Sequence, residues 1–325
     1  MTTDVPDLVP DSGRRILLLA HTGREDARDV ARAVASALSA NGLVVRMLED
    51  EAKDLELPEG HGVETVTAAA AGTAECELAV VIGGDGTILR AAELTRGTPT
   101  PLLGVNLGHV GFLAEAESED VEKMIELIVE RRYSSEERLT LDVAVYRDKE
   151  LVETTWALNE ASVEKAARQR MLEVIVEVDG RPLSRFGCDG VVCATPTGST
   201  AYNFSAGGPI VWPAVEALLM VPISAHALFA RPMVVAPSSV LAVEVLARNE
   251  GAGVLWCDGR RTVDLPPGAR IEVRRGRTPV RLVRLHEAPF TDRLVAKFGL
   301  PVEGWRGAAE RRRRNGRSTP RNEHG

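Results

Sequence analysis

Residues Leu78 to Arg90, Leu-Ala-Val-Val-Ile-Gly-Gly-Asp-Gly-Thr-Ile-Leu-Arg, place the tightest limit on what this chain can fold into. Five apolar residues make a buried strand, three glycines around one aspartate make a tight turn, and Thr87 to Glu93 supplies the first turns of a helix. A strand stops where a helix begins, so unpaired N–H groups and the positive end of the helix dipole face whatever binds there. Gly83, Gly84 and Gly86 let the backbone approach a ligand without Cβ interference. Such a cradle suits phosphate. Asp85 would repel a bare phosphate, so its presence points to taking a proton or holding a magnesium ion. The alternative is a glycine-rich connection with a solvated aspartate.

The chain has 325 residues, about two average domains, and its 44% apolar content suffices for two ordinary cores. A formal net charge of −8 argues against a nucleic-acid partner despite the basic run Arg311 to Arg314, so an anionic ligand must be met by local groups. No apolar run reaches the length of a membrane span and residues 1–13 carry no apolar leader segment, which predicts a soluble, cytoplasmic protein with no membrane partner. Cys76, Cys188, Cys193 and Cys257 lack metal-binding spacing and lie in or beside apolar stretches, which predicts buried free thiols.

Arg14 to Ala20 reads as a first strand. His21-Thr22-Gly23 then turns into a helix with Ala27, Val30, Ala31, Val34, Ala37 and Leu38 at helical spacing, closed by Asn41-Gly42. A strand over 43–48, a loop over 49–62 and a short helix near 64–72 lead to the strand at 78–82. Alternating strands and helices imply a Rossmann-like parallel sheet, in which ligands sit beyond the carboxyl ends of the strands. Pro101 to Val105 is a further strand ending in the glycine-punctuated loop 106–113, a second wall for the same edge. His109 reads as a structural imidazole there, with a ligand contact as the alternative. Residues 118–132 form an amphipathic helix capped by Ser118.

From about residue 138 the period changes to two, with strands at 139–146, 172–178, 190–194, 233–236, 240–246, 254–257, 262–265, 271–274 and 280–286. The expected class is thus an α/β N-terminal domain (14–137) followed by a mostly antiparallel β-sandwich (138–286). A helix over 287–300 is expected to pack back on the first domain, and the leader 1–13 and the arginine-rich tail 301–325 are expected to be disordered.

Two further stretches carry chemistry. Thr195-Pro196-Thr197-Gly198-Ser199-Thr200-Ala201-Tyr202-Asn203-Phe204-Ser205 follows a strand, and its hydroxyls and loop N–H groups suit a base edge or phosphates, while the Tyr202 ring can lie against a heterocycle. The alternative is a turn whose hydroxyls cap their own backbone. Asn159-Glu160 can grip the vicinal hydroxyls of a ribose, provided that the strand is bent or ended there, since neighbours on a straight strand face opposite ways. Cys257-Asp258-Gly259-Arg260-Arg261 reads as a hairpin turn.

Gly83-Gly84-Asp85-Gly86-Thr87, Asn159-Glu160 and Thr195 to Tyr202 followed by Gly207-Gly208-Pro209 resemble, in that order, the motif set of NAD kinases, over residues 14 to about 300. The glycine-aspartate piece is shared with lipid and sugar kinases, and the other two select NAD kinase. The resemblance implies transfer of a phosphoryl group from ATP, or polyphosphate, to the 2′-hydroxyl of the adenosine ribose of NAD, with Mg2+ accompanying ATP and no metal held by the protein alone. It implies a homo-oligomer, often a tetramer. Carried over by motif, Asp85 is the general base or hydroxyl anchor, Gly83, Gly84, Gly86 and Thr87 form the phosphate loop, and Asn159 and Glu160 hold the ribose. Thr197, Ser199, Thr200, Ala201, Tyr202, Asn203 and Ser205 line the dinucleotide and Asp189 meets its nicotinamide end. Arg90, Arg170 and Arg260 are further contacts. A lipid or sugar kinase and a non-catalytic NAD(P) sensor are the rivals. No GxxxxGK[ST] and no GxGxxG with its distant acidic residue is present, which excludes a P-loop enzyme and weakens a dehydrogenase.

Overall fold

The computed structural model describes residues 13–56, 62–71, 76–108, 111–117, 120–167, 171–248, 251–286 and 289–302. The expected disordered leader and tail lie outside these apart from residues 13, 301 and 302, and so do His109, Ser118 and Arg170. The N-terminal half alternates as the sequence pattern demands. Strands β1 (Arg15–Ala20), β2 (Val44–Leu48), β3 (Val63–Val66), β4 (Leu78–Ile82), β5 (Leu102–Asn106) and β6 (Ala116–Glu117) are interleaved with α1 (Glu25–Ala40), α2 (Glu49–Asp54), α3 (Ala68–Ala71) and α4 (Asp85–Leu94); α5 (Val121–Val129) follows. Strand order is β3-β2-β1-β4-β5, all parallel, with β6 on β5. Because the chain leaves β1 on one side and returns on the other, the order reverses between β1 and β4, the crevice where α/β sheets bind ligands.

Burial explains the elements. Every residue of β4 is buried, and α1 turns Ala27, Ala31, Val34, Ala35 and Leu38 onto the sheet, each large side chain contributing about 1.5–3 kcal/mol. Residues 63–66, expected near the start of a short helix over 64–72, are instead the strand β3, held in parallel register by β2, and three further differences follow. Residues 49–54, expected as loop, are the helix α2, whose first turn of Glu49, Asp50 and Glu51 complements the helix dipole. Helix α5 starts at Val121 and buries Met124, Ile125, Leu127 and Ile128.

The third difference concerns 280–286, expected in the β-sandwich. Its strand β20 (Val280–Arg284) instead extends the first sheet, parallel to β5 and antiparallel to β7 (Ser134–Arg138). Alternation reveals a strand but not its partner.

The remaining strands form two six-stranded antiparallel sheets. One holds β8 (Leu141–Arg147), β9 (Glu150–Ala157), β11 (Leu172–Val178), β12 (Arg181–Cys188), β16 (Leu241–Val245) and β19 (Arg270–Arg275). The other holds β10 (Glu160–Lys165), β13 (Gly190–Ala194), β14 (Leu218–Ile223), β15 (Met233–Val235), β17 (Gly253–Cys257) and β18 (Arg261–Leu265). Val143, Val174, Val243 and Ile271 of the first pack with Val163, Val191, Met220 and Leu255 of the second in one core, a sandwich. Strand β14 is an apolar run containing Pro222, a pattern that periodicity alone does not resolve. The short helix α6 (Tyr202–Ser205) follows β13, and the helix α7 (Phe290–Phe298) ends at Gly299, whose φ of 58° is the left-handed stop that glycine adopts without strain. All four cysteines are buried free thiols, and among the described residues no helix is long and apolar enough to cross a membrane.

Candidate active site

The turn after β4 is shaped by close approaches. Gly83 has φ of +149°, and a Cβ on it would lie 2.5 Å from Thr87 Oγ1. The Gly83 amide donates to Val105 O at 2.9 Å and that of His21 to Ile82 O at 3.0 Å, which pins this turn to the strands on either side. Gly84 and Gly86 are exposed on the wall of a cavity of about 590 Å³, whose lining also includes Thr87, Arg90, Arg260 and residues Ala20 to Arg24 after β1. This is the switch-point crevice, and a helix N-terminus opens into it. Arg90 is held by Glu51 at 2.6 Å and Arg260 by Glu93 at 3.1 Å. Glu51, on the unforeseen helix α2, also accepts from Ala20 N at 2.8 Å, and burial pushes its carboxyl above the usual range. A second cavity, about 270 Å³, lies among residues 92–100 and 278–281 at the far end of α4, away from the strand carboxyl ends.

Asp85 opens α4, but its carboxylate turns away from its own helix. Oδ2 accepts from Phe112 N and Oδ1 from Leu113 N, both at 3.2 Å. A Cβ on Gly111 would sit 2.5 Å from Oδ1, so glycine there lets the loop wrap the carboxylate. The loop after β5 therefore meets Asp85 through its backbone, while none of its described residues lines the cavity.

The Asn159-Glu160 pair lies where β9 has ended and β10 begins, with Asp258 as the cause. Its carboxylate accepts from Leu158 N at 2.9 Å, Asn159 N at 2.7 Å and Glu160 N at 3.4 Å, and from Arg261 Nη2 at 2.8 Å. Leu158 shares a buried cluster with Ile88, Leu89 and Leu113. Leu113 thus gives its amide to Asp85 and its side chain to the cluster that seats Asn159-Glu160. Glu160 is buried, and desolvation together with the Asp258 charge pushes its carboxyl up to about 8.

The 195–205 loop divides its polar groups between two tasks. Thr195 Oγ1 donates to Leu158 O at 2.6 Å and accepts from Gly198 N at 3.0 Å. Ser199 exchanges hydrogen bonds with Val211, and Asn203 Nδ2 donates to Ser199 O and Pro209 O. Ser199 and Asn203 are fully buried, so these two, set among the ligand contacts by the sequence reading, have their side chains inside the loop because its own carbonyls need donors. Thr197 is also buried. Thr200 and Ala201 are half-buried, whereas Tyr202 and Ser205 are exposed. Tyr202 N donates to Glu160 Oε2 at 3.3 Å, and burial followed by the Glu164, Glu160 and Asp189 charges raises its phenol. Asp189 is bound to Lys165, the bond that holds its carboxyl low.

Tyr202 is thus bonded to Glu160, Asp85 is linked to Asn159-Glu160 indirectly, through Leu113 and Leu158, Arg90 and Arg260 line the cavity, and Asp189 lies at the other end of β10, beside Lys165. Arg170 lies outside the described residues. His21, Arg24, Lys165 and Asp258 were not singled out as site residues. The first two follow the carboxyl end of a parallel strand, a signal the sequence contained, whereas nothing local marks Lys165 or the role of Asp258.

Known protein families match both halves of the chain. A model of the ATP-NAD kinase N-terminal domain matches residues 16–133 and one of the ATP-NAD kinase C-terminal domain matches 158–285. NAD kinase 2 of Streptomyces coelicolor is 62% identical over 91% of this chain and 97% of its own length, and NAD kinase of Thermobifida fusca is 61% identical over 93% and 94%. Among solved structures, yeast NADH kinase complexed with NADH superposes with a TM-score of 0.81 at 25% identity, covering 90% of each chain. An NAD kinase from Archaeoglobus fulgidus in complex with ATP does so at 0.66 and 25%, covering 89% of this chain and all of that one. With both domain models matched, and relatives at 61 and 62% identity over nine-tenths of its length, this chain belongs to the NAD kinase family.

Proposed function

We propose that the chain transfers the γ-phosphoryl group of ATP to the 2′-hydroxyl of the adenosine ribose of NAD, giving ADP and NADP. The observation that carries this is the double use of Leu113: its amide holds Asp85, and its side chain lies in the cluster with Leu158, beside the Asn159-Glu160 ribose grip. The acceptor hydroxyl is then delivered to the carboxylate beside an arginine-lined cavity of about 590 Å³. Phosphoryl transfer needs mainly alignment and charge neutralisation, which this inventory supplies. Asp85 takes or orients the hydroxyl proton, the first turn of α4 with Arg90 and Arg260 holds the donor phosphates, and Tyr202 and Thr200 face the dinucleotide.

Among the described residues no group of three or more His, Cys, Asp or Glu side chains is arranged to hold a metal. A Mg2+ ion would enter on the nucleotide phosphates and meet one carboxylate of this chain, Asp85, as is usual for magnesium at phosphates. When bound, the ion neutralises charge on the donor phosphates. A cytoplasmic homo-oligomer, with a tetramer as the expected assembly, belongs to the same proposal and is checked by light scattering.

The test is purified protein with ATP, Mg2+ and NAD+, read by an NADP+-specific dehydrogenase, with a polyphosphate arm for donor breadth. NADP+ is expected, and nucleotide binding without it would favour a sensor and reject the proposal. Asp85→Asn is expected to fold and to lose at least ~100-fold in kcat, the scale of losing a general base. Wild-type turnover in that variant would remove Asp85 from the reaction.

A further inference from the structure

Helix α7 is held by aromatic residues from both halves of the chain. Phe290 and Phe298 lie against Phe112, with ring centroids 6.0 and 5.8 Å away, while Phe298 also meets Phe204 at 4.6 Å and Phe290 meets Trp212 at 5.3 Å. These contacts fix the helix between the 111–115 loop and the segment after Tyr202. From that seat Arg293 reaches into the loop. Its Nη1 donates to Ala114 O at 2.9 Å and to Phe112 O at 3.3 Å, and its Nη2 pairs with the buried carboxylate of Glu115, on the same Oε2 that Arg284 Nη1 meets. The loop so gripped is the one whose Phe112 and Leu113 amides hold Asp85.

A guanidinium that satisfies two carbonyls and one carboxylate of a five-residue loop has the rigid fork for setting that loop's path. We propose that Arg293 is a positioning residue for phosphoryl transfer: by fixing the carbonyls of Phe112 and Ala114 it aims the adjoining amides of Phe112 and Leu113 at Asp85 and so sets the direction of that carboxylate. It touches neither substrate in this arrangement and acts through the loop alone. The inference rests on the role given to Asp85 above. Misplacement of a catalytic group by about 1 Å costs on the order of 100-fold, so loosening a loop that still folds is expected to cost about 10- to 100-fold in kcat with little change in either KM.

The experiment compares wild type, Arg293→Gln, Arg293→Lys and Arg284→Gln in the full-length protein by two readouts, NADP+ formation and backbone amide exchange at Phe112 and Leu113. Arg284→Gln removes a partner of Glu115 without touching the loop carbonyls. Arg293→Gln is expected to speed exchange at both amides by about 10-fold or more and to lower kcat, with the KM values for NAD+ and ATP within about twofold and the thermal midpoint near wild type. Lysine, which keeps the charge and can reach one carbonyl and Glu115, is expected to recover part of both, and Arg284→Gln to change kcat less than Arg293→Gln. Unchanged exchange, exchange that rises with no loss of kcat, or a loss confined to KM would each overturn the proposal. If the wild type formed no NADP+, that control alone would remove the phosphotransfer reading, while the exchange arm would still judge whether Arg293 holds the loop.

Discussion

Asp258→Ala is the perturbation whose size the structure lets one work out most directly. The carboxylate accepts Leu158 N at 2.9 Å and Asn159 N at 2.7 Å as good hydrogen bonds, with Glu160 N at 3.4 Å as a weak third. Leaving a buried N–H without an acceptor costs about 1–3 kcal/mol, so the two strong bonds set a range of about 2–6 kcal/mol. Against this, the variant no longer buries a carboxylate whose own acidity is lowered by desolvation, and Arg261 keeps a carboxylate partner in Glu93 at 3.1 Å. Relief of a buried charge offsets part of the loss, leaving a net destabilisation of about 2–4 kcal/mol. Asp258→Asn retains one acceptor oxygen and should cost about half as much. Urea unfolding measures this as a lower midpoint at constant slope, and the same samples should show a KM for NAD+ raised about 10-fold as the Asn159-Glu160 bend loosens. An alanine variant within about 0.5 kcal/mol of wild type with an unaltered NAD+ KM would refute the reasoning, because the bend would then be set by Leu158 packing and the Thr195 contacts alone.

Other consequences follow from the same geometry. Glu160 is pushed up to about 8 from 4.5, so the folded chain keeps a proton that the unfolded chain releases; this stability is full below pH 4.5 and is lost as pH rises to about 8. Glu160→Gln should therefore flatten the fall in unfolding free energy between those limits, by up to about 1.4 kcal/mol per pH unit, and identical slopes in denaturant titrations would count against it. Gly198→Ala puts a Cβ 2.0 Å from Asn159 O, a backbone atom that cannot step aside, and should lower stability by about 1–3 kcal/mol or more in a thermal melt, with a wild-type melt as the contrary result. Arg90→Ala removes a guanidinium aimed into the cavity by Glu51, and the KM for ATP should rise about 10-fold or more while that for NAD+ holds, since a charged hydrogen bond is worth about 1.5–3 kcal/mol.

Local period made much of the fold legible. The β4–turn–α4 unit is written in thirteen consecutive residues and in glycines whose close approaches the structure displays, and the change from helical spacing to alternation marks the second architecture. What the sequence hid are partnerships between distant residues. Asn159-Glu160 is visible as a pair, but the backbone between β9 and β10 that carries it is tied by Asp258, about a hundred positions away and locally just a hairpin residue with φ of 54°. The alternation of 280–284 does not disclose that β5, not a sandwich strand, awaits it. In the 195–205 loop the residue types were right for ligand contact, yet Ser199 and Asn203 face inward while Tyr202 is exposed, because a turn this tight must first satisfy its own carbonyls.

The arginines around the cavity show how an acidic chain can hold a phosphate site. Arg24 is bonded to Asp26, Arg90 to Glu51 and Arg260 to Glu93, so each guanidinium lining the crevice has a carboxylate partner before any anion arrives. The carboxylates orient the guanidiniums and lower the side-chain entropy lost on binding, but they also repel the incoming charge. A lone phosphate meeting one arginine gains little over its hydration, because the local positive field is already half spent. A chain of phosphates that spans several guanidiniums and the first turn of α4 adds the attractions while losing translational freedom only once. Under the proposed function, this charge layout suits a donor that carries a run of phosphates better than a single phosphate, and it does so without a basic surface that would collect unrelated polyanions.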